Sequence, residues 1–206
     1  RCFEGLASFC SALTRDGSGA VTAVNLKPFN ALVETARGID FEVSYGIDVG
    51  AGSLDLRAMA NYVAKLDIVS PDTTISRAGE AGNNSGAAEG TPSWKAMVSA
   101  TYSVEPLTVQ LRGRFIGAAK QDRQWTSADI NRNNVPSVFY LDAFVGYDFE
   151  VGSTKAQIFL AGDNLLDKAP PVVTTNDTAN SVNTGTNPFI YDVMGRMLRA
   201  GIKFDF

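Results

Sequence analysis

From Ser53 to Asp67 the chain alternates apolar and polar residues almost without a break. Leu54, Leu56, Ala58, Ala60, Tyr62, Ala64 and Leu66 share one parity, and Asp55, Arg57, Met59, Asn61, Val63, Lys65 and Asp67 share the other. Successive side chains of a β-strand point to opposite faces, so this period reads as a strand with one apolar and one wetter face. The run is more than twice the usual strand of about five or six residues. A strand that crosses a membrane at a tilt needs about 9–11. Few folds other than a transmembrane β-barrel need an alternating strand of this length.

The pattern recurs along the chain. Phe41 to Val49, Trp94 to Val104, Leu107 to Phe115, Phe139 to Phe149, a weaker stretch from Lys155 to about Asn164, and Met197 to Phe206 alternate in the same sense. With a short hairpin arm at Val21–Leu26, this predicts seven to eight strands, antiparallel and all-β. The connections alternate in length. Gly50–Gly52, Glu105–Pro106 and Glu150–Thr154 are tight, whereas Ser70–Ser93, Ala118–Pro136 and Leu165–Asp192 are long and rich in Gly, Asn, Asp, Thr and Pro. Barrels of the outer membrane have this asymmetry, with short periplasmic turns and long extracellular loops. Aromatic residues fit as well: Trp94, Tyr45, Tyr102, Tyr147, Phe149 and Phe204 lie near strand ends on the apolar face, where rings with a polar tip settle at headgroup level.

Composition narrows the alternatives. Charged residues are 19% of the chain and hydrophobic residues 45%, and no run of about 20 apolar residues offers a membrane helix. The net charge of -4 and the lack of a Lys/Arg cluster give no footing for nucleic acid. There is no histidine, hence no Ser-His-Asp arrangement and no metal-ligand cluster; no cofactor is expected, and an enzyme is not expected. Asp163 and Asp167 read as turn-formers rather than a carboxylate pair. Cys2 and Cys10 are the only cysteines; a short-loop disulfide suits an exported protein, and two free thiols suit a cytosolic one.

The wetter face supplies lumen-facing candidates: Asp55, Arg57, Asn61, Lys65, Gln110, Arg112, Arg114, Asp142 and Asp148. In the long loop after the fourth of these strands, Arg123, Gln124 and Trp125 offer stacking and hydrogen bonding to a ligand.

Two segments carry a family resemblance. Phe159–Pro171 reads FLAGDNLLDKAPP and Tyr191–Phe206 reads YDVMGRMLRAGIKFDF. Together they resemble the C-terminal signature of TonB-dependent receptors, matched here by Asn164, Leu165, Leu166 and Asp167, then Tyr191, Asp192, Gly195, Arg196 and Phe206. Ala36–Tyr45 and Gly90–Tyr102 resemble upstream strands of the same family, and the Cys2–Cys10 region with the segment after it resembles an outer-loop hairpin. The resemblance implies a bacterial outer-membrane receptor for TonB-energised uptake of a scarce nutrient of the siderophore-iron, cobalamin or saccharide class. It implies three kinds of partner: outer-membrane lipid, the TonB complex through a plug domain, and the barrel-assembly machinery through the last strand and Phe206. Residues 1–206 would then be the C-terminal portion of an incomplete barrel, with plug and N-terminal strands absent. Arg1 in place of an initiator methionine agrees with that expectation. On the residues themselves, Asn164 and Asp167 suit a strand-to-loop junction, Gly195 a bulge in the last strand, and Arg196 a pairing with Asp192 or an acidic headgroup. The alternative is a small self-contained barrel with a structural or adhesion role.

Overall fold

A computed structural model describes residues 10–25, 33–70, 73–82, 90–173 and 185–205. The chain divides into two compact units, Arg1–Leu32 and Val33–Phe206. In the first, β1 (Leu13–Arg15) and β2 (Val21–Val24) form an antiparallel hairpin. Its turn is tied by the Asp16 carboxylate, which accepts from the Ser18 and Ala20 amides and the Ser18 hydroxyl. The expected arm is therefore present at Val21–Val24, while Leu26 lies outside the described residues. Cys10 is disulfide-bonded; Cys2, the only other cysteine of the chain, lies outside the described residues, as does Phe206.

The second unit is built on one antiparallel sheet. Its long strands are β3 (Val33–Val49), β4 (Gly52–Val69), β6 (Trp94–Val104), β7 (Leu107–Ile116), β10 (Val138–Val151), β11 (Thr154–Asp163) and β12 (Met197–Asp205), joined in that spatial order. Each pairs with the next, and the sheet does not close: β3 is one edge and β12 the other. It is an incomplete barrel wall. Two-residue reversals at Gly50–Ala51, Glu105–Pro106 and Gly152–Ser153 connect one end, and the long segments connect the opposite end.

The first two long strands exceed the reach of the alternation. β3 begins at Val33 rather than Phe41, and β4 continues to Val69. At roughly 3.3 Å per residue the 18 residues of β4 extend well beyond a span of about 9–11. A β-bulge marks the change. Arg37 pairs with Lys65 but Gly38 pairs with Val63, so Ala64 is an extra residue on β4. An extra residue shifts the phase of side chains beyond it. Arg37 has the parity of Ile39 and Phe41, and Lys65, paired with it, leaves the row of Asp55 and Arg57. The alternation in sequence placed Lys65 with those residues, because period two has no sign that reveals a bulge. Beyond it, Lys65 forms an ion pair with Asp67 at 3.0 Å.

The two faces of the sheet differ as the period requires. The outward row carries Phe41, Val98, Leu111, Phe139, Tyr147, Ile158 and Leu198, all exposed, a continuous apolar surface far larger than a water-facing wall would keep. Trp94 stacks on Tyr62 with centroids 4.5 Å apart at the loop end of this face, and Tyr102 donates to the Val49 carbonyl at the turn end.

A wall with lipid on one side and water on the other has no interior of its own. Accordingly the buried apolar cluster lies elsewhere, where the long loops fold over the ends of β7 and β10. It comprises Ala81, Ile116, Val135, Val138, Tyr140, Val173 and Tyr191. Nor are the loops structureless, as their composition suggested. β5 (Thr74–Ser76) pairs back on β4, and β8 (Ala119–Lys120) pairs with β9 (Asn134–Val135). The Lys120 amide donates to Gly79, and the Ala81 and Gly82 amides donate to Lys120 and Gln121. Buried backbone groups need partners, and loops that pack on one another find them in short β-pairings.

Candidate functional site

The inner face, with the loops over its outer end, forms the candidate site. Register sets its charges. Asp142 on β10 lies opposite Arg112 on β7, and Arg114 is two pairs further along, the next residue on the same face. Asp142 is 3% exposed. One oxygen accepts from the Nε of Arg112 at 2.9 Å and of Arg114 at 2.8 Å; the other accepts from Arg114 Nη2 at 2.9 Å and the Asn164 amide at 3.0 Å. All its acceptor positions are engaged, as a buried carboxylate requires. The network extends outward: Arg112 also approaches Asp163 at 3.8 Å, Arg199 donates to Asp163 at 2.6 Å, and Arg114 approaches Asp192 at 3.8 Å. The Arg114 guanidinium also lies 5.0 Å from the centroid of the Tyr140 ring, within cation–π range.

The two halves of the C-terminal signature, about thirty residues apart, meet on this network. Asn164 is fully buried with φ of 48° and Asp167 has φ of 50°, a left-handed conformation that Asn and Asp tolerate better than other side-chain-bearing residues. The Asn164 side chain accepts from the Lys168 amide and donates to its carbonyl, closing the turn. Leu165 donates its amide to Leu141. Asp167 reaches across the gap, accepting from the Arg196 amide at 3.1 Å. Arg196 therefore meets Asp167, with Nη2 3.9 Å from its carboxylate, rather than Asp192. Asp192 turns inward, its amide donating to the Tyr140 hydroxyl. Gly195 has φ of 74° and precedes β12, so it forms the entry turn to the last strand and not a bulge within it.

Between these contacts the segment Asn187–Tyr191 folds in toward the lumen. Asn187 is fully buried and donates to the Ala81 carbonyl at 3.0 Å. Ile190 seats against Gly90: a Cβ there would lie 2.5 Å from the Ile190 Cδ1, and its φ of +89° also favours glycine. Tyr191 is 3% exposed and its hydroxyl has no hydrogen-bond partner among the described residues; burial pushes its pKa up to about 12. Beneath Ile190 is a concavity of about 520 Å³ on the inner face, lined by residues of β3, β4, β6 and β7.

A second polar knot holds the loops. Glu80, 2% exposed, accepts from the Arg123 amide at 2.8 Å and from Arg77 at 3.0 Å. Arg123 also donates to the Ala78 carbonyl at 2.6 Å. Burial pushes the Glu80 carboxyl above its usual range despite these donors. Of the three loop residues singled out from the sequence, Arg123 is thus occupied in joining two loops. Gln124 is exposed, and Trp125 is half-buried with its carbonyl accepting from Asn133. Of the lumen candidates, Arg112, Arg114 and Asp142 come together. Arg57 pairs with Glu42, Asn61 donates to Asp40, Gln110 to Thr101, and Asp148 accepts from Gln157. Asp55 lies apart, across from Gly46 and Thr101. Glu80, Asn187 and Ile190 had no signal in the sequence that marked them.

Residues 11–165, more than half of the chain, match the family described as TonB dependent receptor-like, beta-barrel. The chain belongs to that family. No curated protein and no solved structure matches it. Membership makes it part of an outer-membrane receptor of a bacterium, in a family of receptors and transporters rather than enzymes. Among the described residues no group of three or more Cys, Asp or Glu could hold a metal ion. The match ends at Leu165, so Asp167, Tyr191, Asp192, Gly195 and Arg196 of the signature lie beyond it. Of these, Asp192 approaches Arg114, and Asp167 and Arg196 join the two segments to each other.

Proposed function

We propose that this chain serves TonB-energised uptake of a scarce nutrient of the siderophore-iron, cobalamin or saccharide class, supplying barrel wall and outer loops. The observation that carries the reading is the inward fold of Asn187–Tyr191 over the inner face, which turns a plain wall into a shaped, partly roofed vestibule. A self-contained barrel with a structural role would need no such roof. The free edges of β3 and β12 need partners in hydrocarbon, and further strands of the barrel around a plug would provide them. Contact with the TonB complex would run through that plug, and contact with the barrel-assembly machinery through β12 and Phe206. Gln124 and Trp125 remain outer-loop ligand candidates, with Arg123 positioning them.

Uptake by the source bacterium tests this directly. Cells would be supplied in turn with ferric chelates, cobalamin and oligosaccharides, and accumulation measured in wild type, in a strain lacking this gene and in one lacking TonB. Loss of the same compound in both deletion strains is the expected result. Undiminished uptake of every compound without TonB would overturn the energised reading.

A further inference from the structure

We propose that the concavity beneath Ile190 is a subsite for an organic anion with an apolar body, its acid group held by Lys95. The proposal deepens the uptake reading by naming a chemical class, and it rests on that reading for an aqueous lumen.

Charge pairing on the inner face carries the argument. On the inner face Arg57, Arg112, Arg114 and Arg199 each have a carboxylate within ion-pair distance. Lys95 has none among the described residues. It is not an edge residue whose neighbours lie elsewhere: β6 is interior, with Asn61 of β4 and Ile116 of β7 as its direct partners across the sheet. Asn61 is already engaged with Asp40, and Glu42 with Arg57. Of the other charged groups that line the cavity, Glu42 is paired with Arg57, Arg114 with Asp142, and Asp40 accepts from Asn61, so Lys95 is the one cation there without a carboxylate in ion-pair distance among the described residues. An ionisable residue inside a membrane protein without a partner marks a functional position.

The surroundings define the rest of the ligand. Lys95 lines the concavity together with Met59, Met97, Ile116 and Ile190. Two thioethers and two branched aliphatic chains give an adaptable apolar surface, and about 520 Å³ falls within the range of small-molecule sites. Ile190 closes the outer side, held by Asn187 on the Ala81 carbonyl. An acid group directed to Lys95, with a flat or aliphatic body against the methionines and Ile190, uses all of these groups at once. A polyhydroxylated neutral sugar would leave most of that wall unused.

The full-length polypeptide in nanodiscs provides the test, read by saturation-transfer difference NMR with empty nanodiscs subtracted. The probes are 2-naphthoate, the isosteric neutral 2-naphthamide, and 2-naphthylmethylammonium. Naphthoate is expected to bind most tightly. Lys95→Met should weaken naphthoate roughly tenfold, the size of one lost charge pair, to the level of the amide, while Lys95→Arg retains it. Ile190→Ala should weaken acid and amide alike. Preference for the ammonium probe would show that Asp40 and Glu42 set the charge of the site and would overturn the proposal. So would equal binding of acid and amide to the unmodified protein, or no binding of any probe; these comparisons need no variant to fold. Binding at equilibrium requires no TonB, so a failure here is distinct from a failure of energised uptake.

Discussion

The β3–β4 side of the wall and the β7–β12 side are built from the same alternation, yet they hold their inner charges differently. On β3 and β4 the inner polar contacts are single pairs across the two strands, Arg57 with Glu42 and Asn61 with Asp40, and they stay open to water: Arg57 and Glu42 are both 52% exposed. On β7 to β12 Arg112, Arg114, Asp163 and Arg199 form a network around Asp142, which is covered by loops and tied to the backbone through Asn164. The comparison shows that the outer loops decide which part of a barrel wall becomes a buried site. Exposed ion pairs contribute little to stability, whereas a buried carboxylate stripped of partners is costly.

The largest break of this contrast should come from Asp142→Ala. It leaves Arg112, Arg114 and the Asn164 amide without their acceptor, and destabilisation of about 3–5 kcal/mol is expected. Glu42→Ala should cost less than about 1 kcal/mol. Urea unfolding of the full-length protein in detergent, followed by its heat-modifiable band, checks both; equal effects would erase the distinction between the two sides.

Asn164→Ala comes next. It removes both side-chain bonds to Lys168 and places alanine at φ of 48°, with an expected loss of about 1–3 kcal/mol. Combined with Asp142→Ala it should be non-additive, because the turn closed by the Asn164 side chain holds the Asn164 backbone amide on Asp142. Simple additivity in that double-mutant cycle would separate the turn from the charge network.

Tyr191→Phe should act in the opposite direction. Its buried hydroxyl has no partner among the described residues, so deleting the oxygen is expected to be neutral or to stabilise by about 1 kcal/mol. A clear loss on the same unfolding assay would reveal a hydrogen bond that this geometry lacks.

The smallest effect is a local one in pH. Glu80 has a carboxyl pKa raised in the folded state, so folding of its loops binds protons and their stability should increase as pH falls from 7 toward the ordinary glutamate value of 4.5. Asp129 has the reverse shift, lowered by the backbone amide and hydroxyl of Thr126; its contribution is fully present above its ordinary value of 3.8 and should not change over that interval. Hydrogen exchange at pH 7 and 5, corrected for intrinsic rates, should show greater protection of Ala81 and Lys120 on acidification with no change at Thr126. Reduced protection at Ala81 would show that Glu80 is needed in its charged form.

The sequence by itself determined the all-β class, the seven long strands, the two faces and the alternation of short turns with long connections. These follow from a period of two and from turn residues, which are local properties that survive reading one residue at a time. The residue types also marked Asn164 and Asp167 as a strand-to-loop junction, whereas Gly195 read as a bulge and is the entry turn to β12. Tertiary structure alone decided the bulge at Ala64 that moves Lys65, the inward fold of Asn187–Tyr191, the pairing of Arg196 with Asp167, and the engagement of Arg123 with Glu80 and Ala78. Each of these depends on which distant backbone carbonyl or carboxylate arrives beside a given side chain. A loop buries its polar groups only where such partners exist, and partners brought together from opposite ends of a sheet leave no periodic trace in the chain.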